Sequence, residues 1–284
     1  MPQIIIRLSG GVLIALVMLA TARVASCADR IVSLVPSVTE TLFALGVGDE
    51  VVGVSSYDDY PPEVKKLPKV GSYFTPNLEA IAALRPTLVM GRGVSSSDRE
   101  IRALRAMGYD VLLVEDDSLP QIEHSIRRIG KRVGKTPQAD AIVASIEANV
   151  NDVRMRVRPF PARRALMLVG HQPIVAVGTG TFLDDLFKIA GADNIADASA
   201  QQWPQLSMEF IVAMRPEVIM DGQMGNDAET PNQFWQAYPT IPAVRNHRVV
   251  GYPEDPTLHP GPRVGTTLEM IARLVHPEAW NTSR

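Results

Sequence analysis

A thirteen-residue segment occurs twice in this chain. Leu78-Glu79-Ala80-Ile81-Ala82-Ala83-Leu84-Arg85-Pro86-Thr87-Leu88-Val89-Met90 returns 130 residues later as Met208-Glu209-Phe210-Ile211-Val212-Ala213-Met214-Arg215-Pro216-Glu217-Val218-Ile219-Met220, without a gap and with six positions identical. Each copy reads as a helix, a turn at Arg-Pro and a buried strand. A unit carried in both halves constrains the fold to two similar lobes. Two facing lobes leave a cleft, the usual place for a ligand.

The length of 284 residues suits two domains better than one core. Hydrophobic residues make up 46% and charged residues 21%, which excludes a disordered chain. The net charge of −3 argues against a nucleic-acid surface. Residues 1–27 read as an export signal: Arg7, then the apolar run Gly11 to Ala20, too short to span a bilayer, then small residues. Their removal deletes Arg7 and Arg23 and no acid, taking the charge from −3 to −5. Val24-Ala25-Ser26-Cys27 fits a bacterial lipobox, with Cys27 the acylated residue; ordinary cleavage near Ala22, Ser26 or Ala28 is the alternative. Cys27 is the only cysteine, so no internal disulfide supports the exported protein.

Strand and helix patterns alternate after the signal. Strands are predicted at 30–35, 51–54, 87–90 and 110–114, with helices at 39–45, 77–84 and 98–107. Ser37 or Thr39 is the expected cap of the first helix. Such alternation implies a mainly parallel sheet covered by helices. From Pro120 to about Val157 there is no good strand, and Gln138 to Val153 keeps apolar residues at helical spacing for over four turns. The second lobe opens with a strand at 165–169; its helix 181–190, ending at Gly191, matches helix 39–45, ending at Gly46. The expected architecture is α/β, two Rossmann-like lobes joined by a single long rigid helix. Its bounds are 28–136 for the N-terminal lobe, 137–160 for the connecting helix and 161–284 for the C-terminal lobe.

Gly130-Lys131-Arg132-Val133-Gly134-Lys135-Thr136 is one residue short of a phosphate-binding loop and follows a helix, so it reads as a helix end. No nucleophile elbow, H-E-x-x-H or C-x-x-C occurs, and the five histidines are scattered. In open α/β sheets ligands sit beyond the carboxyl ends of strands. Residues at those ends are Pro36, Ser37, Tyr57, Tyr73 and Arg92 in the first half, and His171, Gln172, Trp203, Gln223, Asp255, His259 and Arg263 in the second. Tyr73 and Trp203 precede the repeat-unit glutamates by six and five residues. Opposed aromatics from two lobes can sandwich a large flat ligand. Glu79 and Glu209 open equivalent helices, where the helix dipole favours an acid.

Residues 30–40, Val54-Ser55-Ser56-Tyr57-Asp58-Asp59-Tyr60-Pro61-Pro62, Asn77 to Ile81 and Trp203-Pro204-Gln205-Leu206-Ser207 resemble the substrate-binding proteins of vitamin B12, siderophore and haem ABC importers, the cobalamin-binding branch most closely. The resemblance covers roughly residues 29–276. It implies a non-enzymatic receptor without a cofactor of its own, which delivers a corrinoid to an ABC permease dimer with its ATPase subunits. The receptor is expected in the periplasm as a monomer, freely soluble or anchored through Cys27. Glu79 and Glu209 match the family's permease-docking glutamates. Tyr57, Tyr73 and Trp203 match its corrin-holding aromatics, and Asp255 an acid of the last loop. Tyr73 stands where the cobalamin branch has Trp, and Val175 where it has Phe. Arg92 and Arg263 then favour a carboxylate-bearing ligand, making a ferric siderophore or haem the alternative cargo. His259 or His171 is the candidate axial ligand to cobalt or iron. An exported α/β hydrolase is the reading from another class, and no motif supplies its nucleophile and base.

Overall fold

The computed structural model describes residues 29–93, 98–222 and 232–281. Cys27 and the export signal lie outside them, as does Gln223. The first lobe runs β1 (Ile31–Ser33), α1 (Pro36–Ala44), β2 (Val51–Gly53), α2 (Leu78–Ala83), β3 (Leu88–Arg92), α3 (Asp98–Ala106) and β4 (Asp110–Val114). Its sheet has the order β2-β1-β3-β4, with every pairing parallel. Two helices follow, α4 (Leu119–Arg132) and α5 (Thr136–Val157). The second lobe has β5 (Arg163–His171), β6 (Ile174–Ala176), α6 (Phe182–Ile189), β7 (Ala192–Asn194), α7 (Met208–Met214), β8 (Val218–Asp221), β9 (Val249–Gly251) and α8 (Val264–Val275). There β5 pairs with β7 and β8, and β8 with β9, all parallel.

The repeat is a repeat of structure. Asn77 Oδ1 accepts from Ala80 N at 3.0 Å to cap α2, and Ser207 Oγ accepts from Phe210 N at 3.2 Å to cap α7. Ile81 and Ile211 are both fully buried. Arg85 and Arg215 both take left-handed backbone, φ 46° and 54°, where the chain leaves each helix before proline. β1, β3 and β4 of one lobe occupy the places of β5, β8 and β9 in the other.

Two local expectations are corrected. Neither Ser37 nor Thr39 caps α1; the helix starts at Pro36 with no side-chain cap. Proline needs no amide partner at that position. Thr39 is buried instead and donates to Ser33 Oγ at 2.7 Å. The first strand of the second lobe is longer than its apolar run, because its end turns back and pairs antiparallel with β6, His171 against Ile174. Gly170 and His171 carry no apolar signal for that extension.

Helix α5 is 22 residues long, about 33 Å at 1.5 Å per residue. Ala139, Val143, Ile146, Val150, Val153 and Val157 form its buried stripe. That stripe belongs to one apolar cluster containing Leu42 of α1, Ile122 and Ile126 of α4, Leu186 of α6 and Leu268 and Ile271 of α8. The connector is thus packed along its length against both lobes, and its stiffness comes from burial as much as from helical hydrogen bonds. No helix of the described residues is long and apolar enough to cross a membrane.

Candidate functional site

The carboxyl ends of β1, β3 and β4 and the loop after β2 converge on a cavity of about 340 Å³. Its first-lobe wall holds Pro36, Ser37, Tyr57, Tyr73, Phe74, Arg92 and Asp116; Leu258, His259 and Pro260 close it from the second lobe. Tyr57 and Tyr73 have ring centroids 6.1 Å apart, and Tyr73 and Phe74 3.9 Å. Tyr57 is 56% exposed, so much of its ring area is free to receive a ligand. The loop carrying it is held from below. Asp58 is buried, and Lys69 Nζ donates to its backbone carbonyl at 2.5 Å. Burial pushes the Asp58 carboxyl up, opposed by the neighbouring Thr39 and Ser55 hydroxyls and the charge of Lys69.

Both candidate guanidiniums are already paired. Arg92 Nε lies 2.5 Å from Asp116 Oδ1, and its Nη2 also pairs with Asp117. Asp116 is buried, accepts from Ser37 Oγ at 3.4 Å, and has its carboxyl pushed up to about 6. Desolvation is the main cause, aided by Asp117 and opposed by Arg92 and Ser37. Arg263 donates from Nε to Glu40 Oε2 at 2.8 Å and from Nη2 to Glu40 Oε1 at 2.6 Å, and pairs with Asp255. Its guanidinium stacks 4.0 Å from the Tyr60 ring centroid. His259 Nδ1 lies 2.9 Å from Glu40 Oε1 and 3.2 Å from Asp255 Oδ1. Burial pulls the His259 pKa down, but the Glu40 hydrogen bond and the two acids raise it above its ordinary value. Glu40, Asp255 and His259 each put one donor atom within 4.8 Å of the others, a spacing that suits a metal ion. The Arg263 guanidinium already meets the charge of both carboxylates there.

The geometry separates the sequence candidates into groups. Pro36, Ser37, Tyr57, Tyr73, Arg92 and His259 line one cavity. Asp255 and Arg263 stand behind it in the Glu40 cluster. His171 and Gln172 are not in its wall. His171 Nε2 lies 2.5 Å from Asp221 Oδ1, whose Oδ2 accepts from Trp235 Nε1 at 2.7 Å, so that imidazole is tied to its own sheet. Tyr73 lines this cavity and Trp203 does not. Trp203 is 46% exposed and outside this wall. The reason is local: Gly178 N donates to Gln202 O at 2.8 Å and Gln202 Nε2 donates to Gly180 O at 2.9 Å, pinning the Trp203 loop beside β6. Both arginines that the sequence offers to a carboxylate-bearing ligand are paired with acids of this chain. Glu79 and Glu209 are exposed in the first turns of α2 and α7.

The residues missed from sequence are Glu40, Asp116 and Asp117. Asp116 and Asp117 follow β4, where the strand-end rule points. Glu40 carried a signal too: it is an acid in an otherwise uncharged, largely apolar helix that offers it no cation.

This two-lobed architecture has known counterparts. The periplasmic binding protein family model matches residues 31–256. The chain belongs to the periplasmic binding protein family. It is 33% identical over 260 residues to the uncharacterized ABC transporter substrate-binding lipoprotein YvrC of Bacillus subtilis (strain 168), covering 88% of this chain and 81% of that one. Among solved structures it is similar to the periplasmic heme-binding protein RhuT from Roseiflexus sp. RS-1, with TM-score 0.78 and 30% identity over 89% of this chain and 99% of that one. It is also similar to the periplasmic vitamin B12 binding protein BtuF of Vibrio cholerae, with TM-score 0.76 and 27% identity over 90% and 99%. The chain is an extracytoplasmic substrate-binding protein of an ABC transporter, of the type that includes vitamin B12 and haem receptors, and not an enzyme. The hydrolase alternative falls with that assignment.

Proposed function

We propose that this binding protein captures a corrinoid against Tyr57, Tyr73 and Phe74 and hands it to an ABC permease. The observation that carries the reading is charge balance. Arg92 and Arg263, the guanidiniums placed for an anionic ligand, are each bound by two carboxylates. An aromatic wall with neutralised cations suits a large macrocycle whose rim is mostly uncharged amide. Haem, with two propionates, would have to compete with Asp116 and Asp117 for Arg92.

Haem is the second reading, and one observation favours it. His259 engages Glu40 and Asp255 through Nδ1 while lining the cavity, which leaves Nε2 as the nitrogen for a ligand metal. A carboxylate behind a ligating imidazole is a common supporting arrangement. Visible spectroscopy separates the readings. Purified protein titrated with cyanocobalamin, dicyanocobinamide and haemin should bind the two corrinoids more tightly at pH 7.5. Haemin binding without corrinoid binding would overturn the assignment. Acylation at Cys27 is the proposed anchor, supported by Val24-Ala25-Ser26-Cys27 and by the lipoprotein designation of the Bacillus relative. Incorporation of labelled palmitate, lost in Cys27→Ser, tests it.

A further inference from the structure

We infer that Glu40 is the positioning residue that holds the two lobes at a fixed spacing and so sets the width of the ligand cleft. Its side chain is 1% exposed. Its own helix, Pro36 to Ala44, contains no base. Its hydrogen-bond partners among the described residues come from the other lobe, 219 and 223 positions away: His259 through Nδ1, and Arg263 through Nε and Nη2. The Arg263 contact is two-pronged, which fixes orientation as well as distance. A buried carboxylate stripped of its partners is left uncompensated, and that is far costlier than loss of an exposed pair. The lobes therefore resist separating at this point.

Two further observations place the contact at the lobe junction. A Cβ at Gly261 would stand 3.4 Å from the Ser37 backbone and 3.7 Å from Glu40 Oε2, so the two lobes' backbones are nearly touching there. Glu40 and Arg263 also line a second cavity of about 580 Å³, while Ser37 and His259 line the aromatic one. The Glu40 cluster is the partition between the two. Glu40 thus fixes the position of the C-terminal-lobe loop that closes the ligand cavity, and it orients His259 within that loop. The spacing claim is independent of which chelate binds; only the affinity readout rests on the corrinoid reading.

The test measures lobe spacing directly. Spin labels on Glu79→Cys and Glu209→Cys, in the full chain carrying Cys27→Ser, report one inter-lobe distance by double electron–electron resonance. Intact Glu40 should give one narrow distribution without ligand. Glu40→Ala and Arg263→Met should broaden it and shift it by several ångströms; Glu40→Gln, which keeps one acceptor, should lie between. Cyanocobalamin affinity should fall roughly tenfold in Glu40→Ala, the size of one lost tight contact. Distributions that superimpose across the wild type, Glu40→Ala and Arg263→Met would overturn the proposal. If near-ultraviolet circular dichroism shows Glu40→Ala unfolded, Arg263→Lys and Asp255→Asn carry the distance measurement, and wild-type distributions in both overturn it. If the wild type binds no corrinoid, the ligand assignment fails while the distance result still decides the role of Glu40.

Discussion

Arg92 Nε lies 2.5 Å from the Oδ1 of Asp116, and burial pushes that carboxyl up to about 6, close to the pH range of ordinary binding experiments. Above about 6 Asp116 is ionised and cancels one positive charge in the cavity. Below it Asp116 is neutral and the cavity gains one unit of positive charge. Affinity for a metal-free porphyrin dicarboxylate, which needs no axial nitrogen, should therefore rise several-fold as pH falls from 7.5 to 5, and His259, whose pKa its acids raise, adds charge of the same sign. Affinity for cyanocobalamin should change less. Asp116→Asn should weaken the pH dependence. Titrations at four or five pH values check this; a porphyrin affinity that weakens on acidification would have the sign wrong.

Tyr73 touches Tyr57 on one side and Phe74 on the other, so it is the centre of the aromatic wall. Tyr73→Ala should weaken corrinoid binding by about 1–3 kcal/mol, the scale of a lost aromatic anchor. Trp203 lies outside that wall, and Trp203→Ala should cost less than Tyr73→Ala. Calorimetric titration of both variants, each shown to be folded, ranks them. Equal losses would mean that Trp203 reaches the ligand in the bound state.

The same packing that builds the connector limits motion. Val143, Ile146, Val150 and Val153 of α5 are buried in the apolar cluster that also takes in α1 and α8, so a large hinge would expose core. Closure on ligand should be a few degrees. Small-angle scattering profiles with and without cyanocobalamin should nearly superimpose, and a marked contraction would contradict the shared core.

The two lobes and the connector were legible because their signals are local and repeated: apolar spacing along α5, and the Arg-Pro unit found at 85–86 and 215–216. The cavity was half legible. Strand ends pointed to Ser37, Tyr57, Tyr73 and Arg92, since that rule depends only on topology. The charge balance was not legible, because Glu40 meets Arg263 across 223 residues, and Arg92 reaches Asp117 across 25. No periodicity encodes such partners. A lone arginine at a strand end looks like a ligand contact until the acid that holds it is known. Trp203 is a related case: its place in the repeat fixes its lobe, while the hydrogen bonds of Gln202 fix where its loop stands.

Glu79 and Glu209 occupy the same position in the two copies of the repeat, each exposed in the first turn of a capped helix. The backbone amide of Glu209, with Ser207, holds the Glu209 carboxyl below its usual range. Neither residue lines the aromatic cavity. A matched acid on each lobe is complementary to a permease of two like halves with a basic pocket on each, an arrangement that steers docking and fixes register. On this hypothesis the double variant Glu79→Ala, Glu209→Ala keeps its ligand affinity. Uptake into permease-containing vesicles should fall steeply, and the residual docking should respond less to added salt because its long-range attraction is gone. Each single variant should lose less than the pair, since one lobe would still be engaged. Measuring uptake and affinity on the same preparations decides the matter. Normal uptake would leave the two acids as helix-dipole partners only, and affinity lost together with uptake would move them into the ligand site.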